Sequence, residues 1–340
     1  MQTVAGMRPY PATPGGTVTD ELEHRPVLLH PLIENLQPRP GHVVIDGTLG
    51  AGGATAALAA RVTPGGTVIA IDRDPSAVQS AAARFAGDAT VRTVHGDFAD
   101  MDTIARSLGH HEVDAVALDL GISSTQLDDA SRGFSFQRNG PLDMRMDPAD
   151  PVTAAGIVNS WTAAELADTI RDYGEERYAR SIAAAIVRSR ETQPISTTAQ
   201  LRTLIEETVP RRFWPRHIHP ATRTFQALRL VVNRELERLQ QGLQAAISIL
   251  RPGGRLGVIS FHSLEDTLVK NALHVAAQNC LCPPQQPHCT CAHRATLFIL
   301  TRKVIRPDAA ELAVNPRSRS ARLRVAEKLH AGVTPRRPAD

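Results

Sequence analysis

HVVIDGTLGAGGATAALAARV, residues 42–62, joins a β-branched run to a glycine-rich loop and then to an alanine-rich stretch. A short strand, a loop with few Cβ atoms and a helix, in this order, form the repeating unit of a parallel α/β sheet. Asp46 ends the strand, so it lies at the edge where open parallel sheets bind their ligands. This stretch therefore predicts both the fold and the location of a site.

The same alternation continues along the chain, which predicts a doubly wound, Rossmann-like sheet. Further strand candidates are GTVIAID at 66–72, VRTVHGD at 91–97 and VDAVALD at 113–119. A long helix is expected over residues 221–250, and RLGVIS then returns the chain to the sheet. ATLFILTRK and SARLRVAEK are expected to pair as an antiparallel edge hairpin.

Residues 140–220 lack strand candidates and carry apolar residues three and four positions apart, which predicts an inserted helical domain. We expect this domain to recognise the substrate. The sheet domain is then formed by residues 21–139 and 221–328. Residues 1–20 are rich in Pro, Gly and Thr and are expected to be a flexible leader, and residues 329–340 a flexible tail.

Composition limits the class of protein. The 340 residues are 42% hydrophobic and 21% charged, with a formal net charge of +3, which is typical of a soluble globular protein. No apolar run is long enough to span a bilayer and no signal peptide is recognisable, so we expect no membrane association and a cytoplasmic location. An aromatic content of 4% disfavours a surface built mainly on base stacking.

The ends of the first three strands predict a cofactor site. Asp46 precedes a loop that fails the G-x-G-x-x-G dinucleotide pattern because Thr55 occupies the third glycine position. Asp72 is spaced to bind ribose hydroxyls, and Phe98 could cover an adenine. Together these residues predict S-adenosylmethionine, with a helix N-terminus for its carboxylate. The alternatives are a tight turn in the loop, a helix cap at Asp72 or Asp74, and a core position for Phe98.

Asp119 ends the fourth strand, where the transferred methyl group should lie. Enzymes that methylate exocyclic amino groups usually have a polar residue, two prolines and an aromatic here, but this chain has DLGISS. Asp119 is the leading candidate to accept the N–H bonds of a target amine, with the cofactor ammonium as a competing partner. The alternative is a turn cap before Gly121. His262 follows the fifth strand and either faces the target base or is structural.

Several motifs resemble those of the bacterial ribosomal RNA small subunit methyltransferase H family, also called MraW. The resemblance covers roughly residues 22–328 and is carried by HRPVLLHPLI, IDGTLGAGG, AIDRDPSA, LDLGISSTQLDDASRGFSFQRNGPLDMRMDP, YGEERYARSIAAAIV, HPATRTFQALRLVVNRELE, GGRLGVISFHSLEDTLVK and NPRSRSARLRVAE. It implies a class I S-adenosylmethionine-dependent methyltransferase fold. The implied reaction is N4-methylation of a cytidine in the decoding region of 16S rRNA, within the 30S subunit.

The resemblance also implies which residues act. The cofactor contacts that it implies are Gly52, Gly53, Ala54, Asp72, Phe98, Asp119 and Gln126. The expected catalytic residues, Asp119 and His262, follow instead from their positions after the fourth and fifth strands. Family members often have His where this chain has Ala54, so only a backbone contact is expected there. Two alternatives stay open: a non-catalytic RNA-binding or assembly factor, and an amino-methyltransferase acting on another nucleic acid. The oligomeric state is also open.

Other polar clusters lie outside the predicted cofactor loop. Asp143 with Arg145 could contact the substrate or form a buried ion pair that holds the insertion in place. PRRFWPRHIHPATR gathers basic residues around two aromatics and suits RNA phosphates and an unpaired base, as does the basic C-terminal region. The residues concerned are Arg211, Arg212, Phe213, Trp214, Arg216, His219, Arg223, Arg302, Lys303, Arg306, Arg317, Arg319, Arg322 and Arg324.

All four cysteines fall in NCLCPPQQPHCTCAH, residues 279–293, as two C-x-C pairs separated by six residues. Four close thiols form a zinc knuckle more readily than disulfides in a reducing compartment, but the one-residue spacing is tighter than usual. Reduced structural or redox-sensitive thiols are the alternative. A metal bound by these cysteines would be structural. We expect no metal at the catalytic site.

Overall fold

The computed structural model describes residues 26–283, 285–286 and 288–330. The predicted leader at residues 1–20 and residues 331–340 of the predicted tail lie outside this part of the chain. No helix in the described ranges is long and apolar enough to cross a bilayer.

Seven strands form one sheet in the order β3-β2-β1-β4-β5-β7-β6. β1 to β5 pair in parallel, whereas β7 runs antiparallel to both β5 and β6. The predicted doubly wound sheet with an antiparallel edge hairpin is therefore confirmed. The strands are β1 Val43–Asp46, β2 Thr67–Asp72, β3 Val91–His95, β4 Val113–Asp119, β5 Leu250–Ser260, β6 Leu297–Ile299 and β7 Arg322–Lys328.

Thirteen α-helices occur in the described ranges. They are α1 Leu29–Leu36, α2 Gly53–Val62, α3 Pro75–Arg84, α4 Met101–Ser107, α5 Ser124–Asp128, α6 Ala154–Ser160, α7 Ala163–Gly174, α8 Ala179–Thr192, α9 Thr198–Thr208, α10 Thr222–Val232, α11 Glu235–Ile249, α12 Ser263–Ala277 and α13 Ala309–Val314.

Helices cover both faces of the sheet because successive strand residues point to opposite faces. Val44 packs on the face covered by α1, α2 and α3, whereas its neighbour Ile45 packs on the face covered by α4, α11 and α12. Both side chains are fully buried, as are most residues of β2 and β4. Burial on both faces is typical of a parallel sheet and explains the nearly continuous apolar runs in these strands.

A separate apolar cluster contains only residues from between Phe134 and Val232, including the buried faces of α6 to α10. Its members recur at helical spacing, for example Ile182 and Ile186 on α8. The domain boundaries at residues 140 and 220 stay a prediction, but the apolar cluster itself also includes residues on either side of them.

The prediction of one long helix over residues 221–250 is wrong, because α10 ends at Val232 and α11 begins at Glu235. The buried side chain of Asn233 interrupts the helix by bonding elsewhere. Its Nδ2 donates to Met144 O at 2.8 Å and its Oδ1 accepts from Met146 N at 2.8 Å. Arg234 then adopts a left-handed conformation with φ of 51°. The apolar residues of α10 and α11 recur at the same helical spacing, so the sequence pattern does not reveal the break between the two helices.

Candidate active site

Three aspartates lie at one edge of the sheet because their parallel strands all end there. Asp46 ends β1, Asp72 ends β2 and Asp119 ends β4. Asp46 lies opposite Ala70 and Ala117 on the neighbouring strands. The carboxyl edge therefore carries several negative charges in a confined space, which suits a cationic ligand.

Asp46 is buried and anchors the loop that follows β1. Thr55 Oγ1 donates to Asp46 Oδ2 at 2.6 Å, and the Thr48 backbone N–H donates to Oδ1 at 3.2 Å. Burial raises the pKa of Asp46 to about 6, against the lowering effect of these hydrogen bonds. This acid positions the loop from within and has little surface for direct ligand contact.

The glycine-rich loop leads into α2, whose N-terminus has no side-chain cap. Gly52 occupies the N-cap position with φ of 78°, a left-handed conformation that glycine adopts without steric cost. A Cβ on Gly53 would lie 2.4 Å from Pro26 Cγ, so this glycine allows the preceding segment to pack closely. Ala54 follows in the first turn. The N–H groups of Gly53 and Ala54 in this turn have no partner within the helix and can bind a carboxylate, whereas that of Thr55 bonds to Asp46.

Asp72 is held by the backbone at both of its oxygens. Gly50 N–H donates to Oδ2 at 2.8 Å and Asp74 N–H donates to Oδ1 at 2.9 Å. Burial is the main cause that raises the pKa of Asp72, while these bonds oppose it. Each oxygen can accept a further hydrogen bond, so the carboxylate can still bind a pair of hydroxyl groups.

Asp74, and not Asp72, is the cap of α3. Its Oδ1 accepts from Ser76 N at 3.0 Å, with Pro75 in the first turn. Its Oδ2 accepts from Gln126 Nε2 at 2.8 Å and from Arg132 Nη1 at 2.6 Å. Burial alone would raise the pKa of Asp74, but the bonds from Ser76, Gln126 and Arg132 hold it below its usual value. The Asp72 cap considered as an alternative is therefore excluded.

A cavity of about 260 Å³ opens beside these residues, between the glycine loop, α3 and α5. Its lining includes Gly50, Asp74, Gln126 and Arg132. The buried Gln126 is placed there by a capping box at the start of α5, in which Ser123 and Gln126 bond reciprocally. Of the predicted cofactor contacts, Gln126 lines this cavity, whereas Asp72 lies beside it and bonds to the lining residue Gly50.

Phe98 lies just beyond β3 and is half-buried. A Cβ on Gly242 would lie 2.4 Å from its ring, so Phe98 packs directly on the backbone of α11. A Cβ on Gly47 would lie 3.0 Å from Phe98 Cβ. The residue therefore packs against the core and also lies beside the start of the glycine loop.

Asp119 carries an unusual carboxyl group. Its backbone N–H donates to Thr48 Oγ1 at 2.7 Å, but its buried Oδ1 has no hydrogen-bond partner among the described residues. Burial raises the pKa of Asp119 to about 8, and the negative charges of Asp46, Glu265 and Glu311 contribute in the same direction. An unpartnered buried carboxyl oxygen is costly, so its retention indicates a ligand that supplies a positive charge or an N–H donor.

His262 lies at the same edge, directly after β5 and at the N-cap of α12. Its Nδ1 accepts from Glu265 N at 3.4 Å and its Nε2 lies 3.1 Å from Glu265 Oε1. Burial favours a raised pKa for Glu265, but the contact with His262 and the charge of Arg229 bring it below the usual value. The imidazole is thus fixed by its own helix, and a catalytic role for it stays a prediction.

The helical insertion contacts this edge through polar side chains. Ser263 Oγ donates to Glu175 Oε2 at 2.6 Å, and Arg73 Nη2 donates to Asp150 Oδ2 at 2.9 Å. These bonds join the loops after β5 and β2 to the insertion, so both are held beside the site.

Two of the outer polar clusters have structural partners. Arg145 donates to both oxygens of Asp143, at 2.8 and 2.7 Å, which agrees with the ion-pair interpretation. His219 Nε2 lies 2.9 Å from Glu206 Oε1, and its ring centroid lies 4.8 Å from that of Phe136. Neither cluster lies among the acids at the sheet edge.

The two basic regions differ in how far they are neutralised. Arg212 lies 4.7 Å from the centroid of Phe213, whose side chain is 45% exposed. In the C-terminal region, Arg322 and Arg324 both pair with Asp266, at 3.2 and 2.7 Å. The first region presents a cation and an aromatic ring together and is therefore a candidate for a nucleic-acid surface.

Sequence reasoning missed two contributors to the site. Glu311, from α13, lies near enough to Asp119 to raise its pKa, and Arg132 closes the network around Asp74. No signal in the sequence connects Glu311 to Asp119, because nearly two hundred residues separate them. Arg132 lies inside the LDLGISSTQLDDASRGFSFQRNGPLDMRMDP block, which could have drawn attention to it.

Comparison with known proteins agrees with this geometry. The model of the MraW methylase family matches residues 21–329. Proteins named ribosomal RNA small subunit methyltransferase H are similar over almost their whole length. The one from Trichlorobacter lovleyi is 47% identical, covering 91% of this chain and 99% of its own. Those from Thermomicrobium roseum and Geobacter sulfurreducens are 51% and 49% identical, each over 90% of this chain and over 94% and 99% of their own. The chain therefore belongs to the MraW methylase family.

Proposed function

We propose that this protein transfers a methyl group from S-adenosylmethionine to the exocyclic N4 of a cytidine in the decoding region of 16S rRNA, within the small ribosomal subunit. The names of the relatives from Trichlorobacter lovleyi, Thermomicrobium roseum and Geobacter sulfurreducens support the substrate class. One observation carries the chemistry: the buried Oδ1 of Asp119, at the end of β4, has no partner in the described ranges. A cytoplasmic location belongs to the same proposal.

S-adenosylmethionine is the cofactor that membership of a methylase family supports. When bound, it supplies a methyl group on a positively charged sulfur. Asp72 has spare acceptor capacity for hydroxyl groups, and the uncapped N-terminus of α2 can bind a carboxylate through Gly53 and Ala54. Phe98 and Gln126 complete the expected set. The acids at the sheet edge supply negative charge beside a cationic ligand.

The N4 amino group of cytosine is a weak nucleophile because its lone pair is delocalised into the ring. The site must therefore orient the nitrogen and accept its N–H bonds, and such positioning can lower a barrier by about 7 to 11 kcal/mol. Asp119 is placed for this role because its free oxygen faces no other donor in the described chain. The cytidine must be unpaired, since a stacked and paired amino group cannot reach the site.

Asp119 can also take the proton that the amine releases. Beside a positive charge the carboxylate stays ionised, because opposite charge lowers its pKa. When that charge is gone, burial and the neighbouring acids raise the pKa again to about 8. The bound cofactor would supply the methyl group, with the S–C bond breaking as the N–C bond forms, and Asp119 would hold the proton that the amine loses. His262, held by Glu265, is proposed to help position the base at the same edge.

The surface formed by Arg211, Arg212, Phe213 and Trp214 is proposed to bind the RNA substrate. Arg211 lies 5.5 Å from the centroid of Trp214, a cation–π contact that pre-organises the guanidinium. Positive charge binds phosphates, while an exposed ring stacks on an unpaired base.

The test measures transfer of labelled methyl from S-adenosylmethionine to 30S subunits, naked 16S rRNA and duplex DNA, followed by nucleoside analysis. Wild type is compared with Asp119→Ala and Asp119→Asn, and with Asp100→Asn, which changes an exposed acid on the surface. We expect N4-methylcytidine only from ribosomal substrates. Both Asp119 variants should lose at least about a hundredfold in rate, since Ala removes the positioned acceptor and Asn removes the carboxylate that takes the proton.

Three outcomes would contradict the proposal or a part of it. Label recovered from duplex DNA, or in a nucleoside other than cytidine, would reject the substrate and favour an amino-methyltransferase of another kind. Binding of S-adenosylmethionine and 30S subunits without any transfer would favour a non-catalytic assembly factor. Full activity of Asp119→Ala would reject the role given to Asp119 while leaving the substrate intact.

A further inference from the structure

The four cysteines converge in the connection between α12 and β6. The Sγ atoms of Cys280, Cys282, Cys289 and Cys291 all lie within 4.8 Å of one another. Cys280 Sγ lies 3.4 Å from Cys289 Sγ and 3.8 Å from Cys291 Sγ, and Cys289 Sγ lies 3.6 Å from Cys291 Sγ. All four are free thiols. Two C-x-C pairs that are separated in sequence thus form one compact sulfur cluster.

The separations match those of ligands around one metal ion. Sulfurs at the corners of a tetrahedron, each about 2.3 Å from a central zinc ion, lie about 3.8 Å apart. A covalent S–S bond would instead bring one pair to about 2 Å. We propose that Cys280, Cys282, Cys289 and Cys291 form a structural Zn²⁺ site. The tight one-residue spacing is compatible with it because each C-x-C pair supplies two adjacent corners.

Backbone N–H groups point at the sulfurs, as expected around negatively charged thiolates. Leu281 N donates to Cys291 Sγ at 3.3 Å and Cys282 N donates to Cys280 Sγ at 3.4 Å. Thr290 N donates to Cys282 Sγ at 3.4 Å. These donors offset part of the charge of four thiolates around a divalent ion and orient the sulfurs towards one centre.

The donor set selects the metal and the role. Four thiolates favour Zn²⁺ over Mg²⁺ or Ca²⁺, which prefer oxygen ligands. The nearby His293 is already engaged, since its Nε2 lies 3.0 Å from Val275 O. Four sulfurs close a tetrahedral shell and leave no open position for substrate, so the site is structural and separate from the acids at the sheet edge.

The position of the cluster explains what the metal would hold. The connection is tied to the end of α12 by Thr296 N, which donates to Ala276 O at 2.7 Å. It then enters β6, a strand of three residues at the sheet edge. Most of the connection is exposed and has few apolar contacts, so a metal supplies the cross-link that a hydrophobic core cannot.

The test measures zinc in the full chain, purified under reducing conditions without chelators, by elemental mass spectrometry. We expect about one zinc ion per chain, lost in a Cys280→Ser, Cys289→Ser double variant and retained in His288→Ala. His288 is exposed and adjoins Cys289, so its variant controls for unspecific binding by the loop. After zinc is exchanged for Co²⁺, the wild type should show the visible bands of tetrahedral thiolate coordination.

Circular dichroism and binding of S-adenosylmethionine monitor the fold of each variant, since neither depends on metal content. Chelation should expose the connection to protease between α12 and β6 while the rest of the chain stays resistant. The proposal is rejected if folded wild type holds no zinc and gives no tetrahedral Co²⁺ spectrum. It is also rejected if the double variant keeps its zinc, or if the thiols of the purified protein are disulfide-bonded.

Discussion

Arg132 Nη1 lies 2.6 Å from Oδ2 of Asp74, and both side chains are largely removed from solvent. The same carboxylate caps α3 and accepts from Gln126. One acid therefore connects the start of a sheet-domain helix, the loop after β4 and the segment that leads into the insertion. The cavity between the glycine loop, α3 and α5 is lined by all three residues.

Replacing Arg132 by Ala should destabilise the protein by about 3 kcal/mol, because it leaves a buried carboxylate without its charge partner. Urea unfolding followed by circular dichroism measures the change. Arg171→Ala is the control, since its ion pairs on α7 are exposed and should contribute little to stability. Equal effects of the two substitutions would contradict a special role for the Asp74 network.

The ligand-free protein should lose stability as the pH rises from about 4 to about 8 through the titration of Asp119 and Asp46. An unfolded aspartate titrates near 3.8, whereas burial raises the pKa values of Asp119 and Asp46 to about 8 and about 6. Between those values the unfolded chain has released protons that the folded chain retains. The stability contributed by these two protonated carboxyl groups is therefore complete below the pKa of an unfolded aspartate. It is lost as the pH rises through the pKa values of Asp46 and Asp119 in the folded protein.

Asp119→Asn should therefore stabilise the ligand-free protein near pH 8 by on the order of 3 kcal/mol and should change little near pH 4. Chemical unfolding at both pH values measures this difference, with Asp100→Asn as the control. If the difference in unfolding free energy between Asp119→Asn and wild type is the same at both pH values, the pKa of Asp119 is not raised in the folded protein.

Binding of S-adenosylmethionine should strengthen as the pH rises, by at most about tenfold per unit, and should level off above about pH 8. A cationic ligand requires the ionised form of Asp119, whose pKa is about 8 in the free protein. Calorimetry in buffers of different ionisation enthalpy should detect release of about one proton per ligand near neutral pH. Asp119→Asn should bind more weakly and without this release; unchanged release would assign the proton to another group.

Asn233→Ala should cost about 2 kcal/mol, because it removes a fully buried amide and leaves the backbone groups of Met144 and Met146 unpaired. The unfolding free energy in urea is again the measurement. Asn271→Ala, on the exposed side of α12, should change it by less than about 0.5 kcal/mol. A negligible effect of Asn233→Ala would mean that the break between α10 and α11 forms without this side chain.

Substitution of Arg212 and Phe213 by Ala should weaken binding to 16S rRNA and lower the salt dependence. Loss of one phosphate contact should reduce the slope of log affinity against log salt by about 1. Arg39→Ala is the control, since Arg39 precedes β1 at the opposite edge of the sheet. If the double variant and Arg39→Ala give the same slope of log affinity against log salt, this surface does not contact the RNA.

The sheet could be predicted from sequence because its determinants are local. Asp46, Asp72 and Asp119 each follow a short buried run, and parallel strands bring such positions to one edge. Strand β7 and its partner β6 were also recognisable as two β-rich segments. The parallel pairing and the shared carboxyl edge follow from general rules of connection, without knowledge of any side-chain contact.

The remainder depended on contacts between residues that are distant in sequence. The break at Asn233 requires Met144 and Met146, which arrive from another part of the chain. Pairing of Arg322 and Arg324 with Asp266 follows only when β7 lies beside β5. A basic residue in a sequence does not reveal whether an acid neutralises it.

The acids around Asp119 have a consequence for turnover. Negative charge from Asp46, Glu265 and Glu311 is fixed by the fold and stays when the ligand changes. A donor with a positively charged sulfur gains more from this field than the neutral thioether that remains after transfer. We therefore expect the site to bind the neutral thioether less tightly than the positively charged donor. Electrostatics then favours the exchange of product for donor without any movement of the chain.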